Sequence, residues 1–315
     1  MNNSRTEWIK NCFDASAELR VTNKYYRQTA LSFFENLLAM DSSGGDSSQN
    51  PPYYYQQKCR AVIKAKSPAI LAGLAEIQAF LHNKSLKCES EFTDGAQIQT
   101  GETVLTIHGR SCQILLLERT ILNILQRLSG IATVTMQYTQ AIADLPCFVT
   151  ATRKTLWGPI DKSAIQYGGG LTHRIGLSDA AMLKENHLTI LKKSGESQAL
   201  DKAIAAIAEI EPPPGFIEVE VTNDSEFRKI VEIYKRIGNV IDRVIMFDHF
   251  EPENIQRLIE TARTAGVYSQ ILFEASGNVT LETIRAYAES GVDVVSVGAL
   301  THSVKSADFS LLIID

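Results

Sequence analysis

The chain has 315 residues, 44% of them hydrophobic, and this length suffices for one large α/β domain or for two smaller domains. Its net charge of −5 gives no support for nucleic-acid binding, and no apolar run reaches the roughly 20 residues that a membrane-spanning helix needs. The mixed, charged N-terminus predicts no signal peptide, and five cysteines without metal-ligand spacing favour a reducing compartment. We therefore expect a cytoplasmic globular protein that binds neither nucleic acid nor membranes.

The first third of the chain predicts a small α/β or α+β domain. Helical spacing of apolar residues predicts helices over residues 1–40 and 69–82, and alternation predicts a strand over residues 60–68. Residues 41–52 are rich in Ser, Gly and Asp, a composition that predicts a loop.

Short strands separated by turn signals are expected from residue 86 to residue 117. The segment 94–109 predicts a β-hairpin, because alternating residues follow the turn at Thr100-Gly101. Residues 113–143 predict one long helical tract, broken near Ser129-Gly130 because glycine weakens a helix.

From residue 147 onward, strand-like runs alternate with helical patterns at intervals of about 25 residues, as in (β/α) units. Helical patterns recur at 196–210, 224–237, 252–265 and 280–290. Six strands are predicted, at 147–151, 180–184, 216–222, 243–248, 270–275 and 292–297.

A doubly wound open sheet could give the same order of elements as a barrel. Polar residues stand at the ends of the predicted strands, and in a (β/α) barrel those ends meet at one mouth. We therefore favour a barrel, which six strands would leave incomplete.

Positive charge is concentrated between Arg119 and Lys193, where nine Lys or Arg residues accompany four Asp or Glu residues. The segment 149–190 is also apolar and glycine-rich, so we interpret the charge as a pocket for a small polyanion rather than as a basic solvated face. For Arg119 two interpretations stay open. It either forms a surface pair with neighbouring Glu118 or points from a helix into a site.

Acidic and glycine-containing strand ends complement these cations. Glu220 and Asp248 end successive strands and suit a hydrated divalent cation or ribose hydroxyls. Ser276-Gly277 and Gly298 resemble the phosphate-binding loops of late barrel strands. The sequence contains no Ser-His-Asp order, no context for a nucleophilic Cys and no Walker-type loop, so it favours a reaction driven by positioning and charge stabilisation.

Several motifs occur together and in a fixed order: ERTILNILQRLSGIAT, TRKT, GGGLTHRIGLSDAAMLKENH, EVEV, MFDHF, EASGN and VSVGALTHS. Through them, the chain from about residue 60 to about residue 305 resembles the quinolinate phosphoribosyltransferase family, also called nicotinate-nucleotide pyrophosphorylase (carboxylating). The resemblance implies an α/β fold with an N-terminal α/β sandwich domain over residues 1–130, joined by segment 300–315. It also implies an incomplete (β/α) barrel over residues 131–299.

The resemblance further implies a pentosyltransferase reaction. Quinolinate and phosphoribosyl pyrophosphate (PRPP) would give nicotinate mononucleotide, pyrophosphate and carbon dioxide, with Mg²⁺, in NAD biosynthesis. It implies a homodimer with shared active sites and leaves a higher oligomer open.

The same resemblance assigns roles to individual residues. The residues expected to bind quinolinate are Arg153, Lys154, His173, Arg174, Lys184 and, from the partner chain, Arg119. The expected catalytic residues are Lys154, Lys184, Glu220 and Asp248, the two acids serving magnesium directly or through water and ribose hydroxyls. Phosphate is expected at Ser276, Gly277 and Gly298.

Some positions depart from the family pattern. The loop 156–161 after TRKT is shorter and lacks the family's Arg, and further changes stand at Ala151, Thr172, Glu185, His249 and Asn278. They leave open a sister phosphoribosyltransferase for another pyridine or aromatic carboxylate. A non-catalytic paralogue is the other alternative, against which the retained site cations argue. The helix expected before about residue 25 has no explanation in the resemblance.

Overall fold

The computed structural model describes residues 3–46, 56–193, 198–237 and 241–314. The chain separates into two compact units. The barrel unit comprises Met1–Ala15, Gln137–Thr155 and Gly170–Ala299, and the sheet unit comprises Ser16–Met136, Leu156–Gly169 and Leu300–Asp315. Parts of the predicted loop 41–52 and of the predicted helix 196–210 lie outside the described residues. Within the described ranges, no helix is both long enough and apolar enough to cross a membrane.

The helices and strands follow one another along the chain with these bounds. The helices are α1 (Asn3–Phe13), α2 (Lys24–Ser42), α3 (Leu74–Asn83), α4 (Ser111–Ala141), α5 (Pro159–Ile165), α6 (Glu185–Lys193), α7 (Ala199–Ala208), α8 (Asp224–Ile237), α9 (Pro252–Thr264), α10 (Ile284–Glu289) and α11 (Ala299–His302). The strands are β1 (Lys58–Ala65), β2 (Ala69–Ile70), β3 (Lys87–Glu89), β4 (Gln97–Ile98), β5 (Thr103–Arg110), β6 (Phe148–Thr150), β7 (Ala181–Leu183), β8 (Ile217–Val221), β9 (Arg243–Asp248), β10 (Leu272–Ser276), β11 (Val294–Ser296) and β12 (Phe309–Ile313).

The sheet unit is built on an antiparallel sheet with the strand order β12-β1-β5-β3. The predicted helix over residues 1–40 is interrupted between α1 and α2, and the segment 69–82 opens with β2 before α3 begins. Asp94 explains where α3 starts, because its carboxylate accepts the N–H groups of Leu74 and Ala75 at 2.8 and 3.0 Å.

The predicted hairpin over residues 94–109 is wrong. Strand β4 pairs with β2, whereas β5 pairs with β1 and β3. The turn between β4 and β5 is tied to the end of β1, since Gly101 N–H donates to Ala65 O at 2.8 Å and Ala65 N–H donates to Glu102 O at 3.0 Å. These contacts send the two halves of the segment into different sheets.

Helix α4 runs without a break from Ser111 to Ala141, so the predicted interruption at Ser129-Gly130 is also wrong. Small residues stand there because other segments approach the helix closely. The Ser129 hydroxyl accepts the Ala72 N–H at 3.1 Å, and a Cβ atom at position 130 would lie 2.4 Å from Lys305 O. Close packing rather than a helix break accounts for this pair.

The barrel unit contains six parallel strands in the order β6-β11-β10-β9-β8-β7. The six predicted strands are confirmed, each to within a few residues. Consecutive strands from β7 to β11 are neighbours, and β11 returns to pair with β6, so β6 and β7 form the two edges. This order is that of an incomplete (β/α) barrel, as predicted, and the structure shows that the gap lies between its first and second strands. A doubly wound sheet would instead reverse its strand order at a switch point.

The parallel register places even-numbered residues of these strands on one side. Glu220 pairs with Met246, Met246 with Glu274, Glu274 with Val294, and Val294 with Phe148. Side chains alternate between the two faces of a strand, so each of these residues shares its face with the residues two positions away.

Helix α1 covers the starts of the strands on that even-numbered side. Ile9 and Phe13 are fully buried in one cluster with Phe216, Val244 and Leu272. At the other end of the helix, Arg5 grips the Asp293 carboxylate through two nitrogens at 2.7 Å each. The family resemblance gave no role to the N-terminal helix. In the structure, its apolar residues pack against the starts of the barrel strands.

Substituting Ile9 tests this packing. Ile9→Ala is expected to lower the free energy of unfolding by roughly 2–5 kcal/mol, because it leaves a cavity in a core that is closed on all sides. Ile190→Ala is the matched control, since Ile190 is 68% exposed in the same unit, and we expect it to change stability by less than about 0.5 kcal/mol. Denaturant melts of both variants would measure the difference; equal losses would contradict the role of α1.

Candidate active site

Five residues predicted for the site stand at the C-terminal ends of consecutive strands. Lys184 directly follows β7, Glu220 is the penultimate residue of β8, Asp248 and Ser276 end β9 and β10, and Gly298 follows β11 by two positions. All five are even-numbered, and parallel strands end at the same edge of a sheet. The structure therefore brings them to one edge and one side.

Three of these side chains are close enough to interact. Lys184 Nζ lies 2.6 Å from Glu220 Oε2 in an ion pair. Burial and then the neighbouring Glu220 carboxylate raise the pKa of Asp248, an effect that His249, Lys184 and Lys154 oppose. The mouth therefore holds two acids and two lysines within electrostatic reach of one another.

The loops after β9 and β10 are packed against each other. His249 N–H donates to Ser276 O at 3.0 Å. Gly277 has φ +102°, and a Cβ atom there would lie 2.8 Å from the His249 ring. His249 and Asn278 also adopt positive φ angles, of 57° and 49°. Glycine at position 277 is required both by its backbone conformation and by this contact.

Of the cations predicted to bind quinolinate, Arg174 is buried and has Arg153 nearby. Arg174 is 8% exposed, and its Nη1 donates to Ala180 O at 2.9 Å. Burial, and then the nearby charge of Arg153, lower the pKa of Arg174. Arg153 and Lys154 are themselves exposed at the end of β6. The structure thus places Arg153 beside Arg174, and Lys154 on the side of Asp248.

His173 lies among buried polar side chains from the barrel strands. Its Nε2 is 3.0 Å from Glu274 Oε2 and 3.5 Å from Glu218 Oε2. The Ser296 hydroxyl donates to Glu274 Oε1 and lies 2.8 Å from Thr150 Oγ1. Both glutamates are fully buried.

Two carboxyl groups this close are unfavourable if both are charged. Burial, reinforced by neighbouring Glu274, raises the pKa of Glu218 well above its usual range. Burial also acts on Glu274, but attraction to His173 and hydrogen bonds from His173 and Ser296 outweigh it and hold the pKa of Glu274 below its usual value. The surroundings therefore shift the pKa values of these two carboxyl groups in opposite directions.

Sequence reasoning missed this buried cluster, although a signal for it was present. In a half-buried strand, residues two apart share a face, so Glu218 must face the same side as Glu220. The same rule connects Glu274 with Ser276 and Ser296 with Gly298. Applying the alternation to every strand would have found all three residues.

Two groups of donor atoms could accommodate a cation. At the mouth, the carboxylates of Glu220 and Asp248 are the oxygen ligands that hard divalent cations prefer. The second group lies deeper in the unit and consists of His173, Glu218 and Glu274. Each offers one potential metal-ligand atom, and these three atoms lie within 4.8 Å of one another. The His173 ring nitrogens there are already hydrogen-bonded to Glu274 and to the Arg174 N–H, so the mouth is the better candidate.

Comparison with known families shows to which family the chain belongs. Residues 53–129 match the family model described as the N-terminal domain of quinolinate phosphoribosyl transferase, and residues 131–312 match that of its C-terminal domain. The chain belongs to the quinolinate phosphoribosyltransferase family. Both of its domains are represented, in the order predicted from the motifs.

Individual members of the family are similar over most of the chain. The probable nicotinate-nucleotide pyrophosphorylase [carboxylating] of Methanocaldococcus jannaschii is 38% identical over 264 residues, which cover 82% of this chain and 87% of that protein. The protein of the same description from Bacillus subtilis is 35% identical, covering 81% of this chain and 84% of that protein. The solved nicotinate-nucleotide pyrophosphorylase of Francisella tularensis has a TM-score of 0.78 at 29% identity, covering 91% of this chain and 97% of that one.

The loop 156–161, predicted to be shorter than in other members of the quinolinate phosphoribosyltransferase family, is anchored inside the sheet unit. Arg127 donates to both oxygens of Asp161 at 2.6 and 2.8 Å, and the Trp157 N–H donates to Asp161 at 3.1 Å. The Trp157 ring packs on Phe33, with centroids 5.3 Å apart. Arg119, on α4 of the same unit, is exposed.

The contact at Gly277 yields a test with a matched control. Gly277→Ala and Gly291→Ala both place a Cβ atom on a backbone of positive φ, +102° and +93°, but only position 277 has a neighbour within 4 Å. We expect Gly277→Ala to be the more destabilising by about 1–3 kcal/mol, because it adds overpacking to backbone strain. Thermal melting would measure the difference, and equal effects would show that the His249 contact is dispensable.

Proposed function

We propose that this protein converts quinolinate and PRPP into nicotinate mononucleotide, pyrophosphate and carbon dioxide, as a carboxylating nicotinate-nucleotide pyrophosphorylase of NAD biosynthesis. The observation that carries the proposal is the set of strand-end charges on one edge of the barrel unit. Lys184, Glu220 and Asp248 are in electrostatic contact there. Family membership names the reaction that such a site serves.

The cations suit the two carboxylates of quinolinate. Arginine grips a carboxylate through two N–H groups, while lysine supplies a compact charge. We propose that Arg153, Arg174 and Lys184 bind these carboxylates, and that Lys154 is a further cation near Asp248. The pyridine nitrogen of quinolinate is already a nucleophile, so the site needs no general base for glycosyl transfer.

The acids and loop glycines suit PRPP. Ser276, Gly277 and Gly298 are proposed to hold a phosphate group, and Glu220 and Asp248 the ribose hydroxyls and magnesium. The carboxylates of Glu220 and Asp248 supply the oxygen ligands that a divalent cation prefers. The pKa of Asp248 is raised by burial and then by the charge of Glu220, which a bound cation would screen. Bound Mg²⁺ would neutralise charge developing on the pyrophosphate leaving group.

Decarboxylation follows from the product of the first step. Attack of the ring nitrogen on the sugar carbon breaks the bond to pyrophosphate and leaves a pyridinium. The electron pair of the adjacent carbon–carboxylate bond can then move onto the ring carbon, which takes up a proton as carbon dioxide departs. The positively charged ring provides the electron sink, and no redox cofactor is required.

A product assay tests the function directly. Purified protein would be incubated with magnesium and PRPP, together with quinolinate or with nicotinate. Nicotinate mononucleotide and carbon dioxide from quinolinate alone are the expected result. Product from nicotinate alone would point to a sister phosphoribosyltransferase, and no product from either would point to another acceptor or to a non-catalytic paralogue.

Removing a site cation should separate activity from stability. Lys184→Ala and Arg153→Ala are each expected to lower kcat/KM by roughly 10²–10³, because each removes a charge that meets the substrate. Thermal melting should change little, since both side chains are partly or largely exposed. Lys235→Ala, which breaks an exposed pair with Glu232 of 2.7 Å, is the control and should keep full activity. Full activity of either site variant would overturn the assignment.

We further propose that the protein works as a homodimer in which Arg119 enters the partner's site. Arg119→Ala and Glu220→Ala should each be inactive alone. A verified heterodimer of the two should regain about half of the wild-type activity, because one of its two sites is intact. An inactive heterodimer would argue for sites made within one chain.

A further inference from the structure

His173 has no ring nitrogen left for a substrate. Its Nδ1 accepts the backbone N–H of Arg174 at 2.8 Å, so in the neutral ring the proton is on Nε2. That Nε2 faces Glu274 Oε2 at 3.0 Å. The residue is 4% exposed. The imidazole is thus occupied on both sides by the protein itself.

The end of α1 holds the backbone of His173 from below. His173 N–H donates to Phe13 O at 2.8 Å, and the Ala15 N–H donates to Thr172 Oγ1 at 2.8 Å. The Phe13 ring meets the imidazole edge to face, with centroids 5.0 Å apart. His173 has φ +54°, a conformation that non-glycine residues adopt only when their surroundings impose it.

On the opposite side, Glu274 is itself locked in place. The Ser296 hydroxyl donates to its second oxygen, and Thr150 adjoins Ser296 at 2.8 Å. These residues come from β10, β11 and β6, three neighbouring strands of the parallel sheet. Glu274 is thus hydrogen-bonded to Ser296 as well as to His173, and Glu274, Ser296 and Thr150 stand on these three neighbouring strands. A carboxylate fixed in this way can orient a histidine ring.

The imidazole of His173 in turn contacts Arg174. The Nδ1 contact fixes the Arg174 N–H, and the Arg174 guanidinium reaches Ala180 O and lies near Arg153. The contacts therefore run from the strands, through Glu274 and His173, to a cation of the site.

We infer, on the basis of the function proposed above, that His173 is a positioning residue and not a substrate ligand: Glu274 and the end of α1 hold it, and it holds Arg174 for a carboxylate of quinolinate. Two departures of this chain meet in this arrangement. Thr172 and the N-terminal helix, which the resemblance does not explain, contact each other, because the Thr172 hydroxyl donates to Phe13 O at 3.4 Å and accepts the Ala15 N–H just after the helix at 2.8 Å.

Variants outside the substrate's reach test the inference. Thr172→Val removes the acceptor for Ala15, and Glu274→Gln weakens the hold on the ring. Each is expected to raise the KM for quinolinate roughly 10- to 100-fold, because small displacements of a binding group are costly, with the KM for PRPP nearly unchanged. Thr172→Ser keeps the hydroxyl and should behave as wild type.

A purely structural effect is controlled by Thr135→Val, which removes a fully buried hydroxyl that donates to Ile131 O at 2.7 Å in the sheet unit. It should affect melting without affecting the KM for quinolinate. Unchanged KM values in both Thr172→Val and Glu274→Gln would overturn the inference, as would an equal rise in Thr135→Val.

Nitrogen-15 NMR of labelled histidine needs no impaired protein, and His173→Asn assigns the signal. A proton on Nε2 facing Glu274 and a hydrogen-bonded Nδ1, both unchanged when quinolinate is added, are the expected result. Loss of the Nε2 or the Nδ1 hydrogen bond when quinolinate is added would make His173 a ligand, and a metal ion bound stoichiometrically and lost in Glu274→Gln would make the cluster a metal site. Either would overturn the inference. Turnover of quinolinate by the wild-type protein tests the proposed function separately, because it depends on no variant.

Discussion

The barrel unit depends on the shared register of its six parallel strands. Because paired residues have the same parity, even-numbered positions from every strand accumulate on one side. The types of residue on this side change from the starts of the strands to their ends. Apolar residues pack on α1 at the strand starts, a buried polar cluster follows around Glu274, and charged residues such as Lys184 and Asp248 stand at the ends. One register error would move whole sets of these side chains to the opposite face.

Buried charge in this unit is stabilised where a carboxylate has hydrogen-bonding neighbours, as Glu274 has. Taking a carboxylate out of water is costly unless it is paired and hydrogen-bonded. Glu274 is held by His173 and Ser296, and burial raises the pKa of Glu218 beside it. At the solvent edge Glu220 is paired with Lys184. The site therefore combines a fixed polar interior with side chains at its rim that remain accessible.

Positions that depart from the family pattern are coupled to their surroundings rather than isolated. Thr172 binds the chain just after α1, and His249 packs against Gly277 in the neighbouring loop. The shorter loop 156–161 is anchored to Arg127 through Asp161.

The sequence alone determined the six barrel strands, the order of the site residues along them and the family, because alternation and strand-end chemistry are local properties of the chain. It misplaced the hairpin over residues 94–109 and the break at Ser129-Gly130, because strand pairing and close approach depend on distant segments such as β1 and Lys305. It also could not show that α1 packs beneath the strands, or that both nitrogens of His173 are engaged. Those features were decided by tertiary structure, since they join residues that lie as far apart in the chain as Phe13 and Glu274.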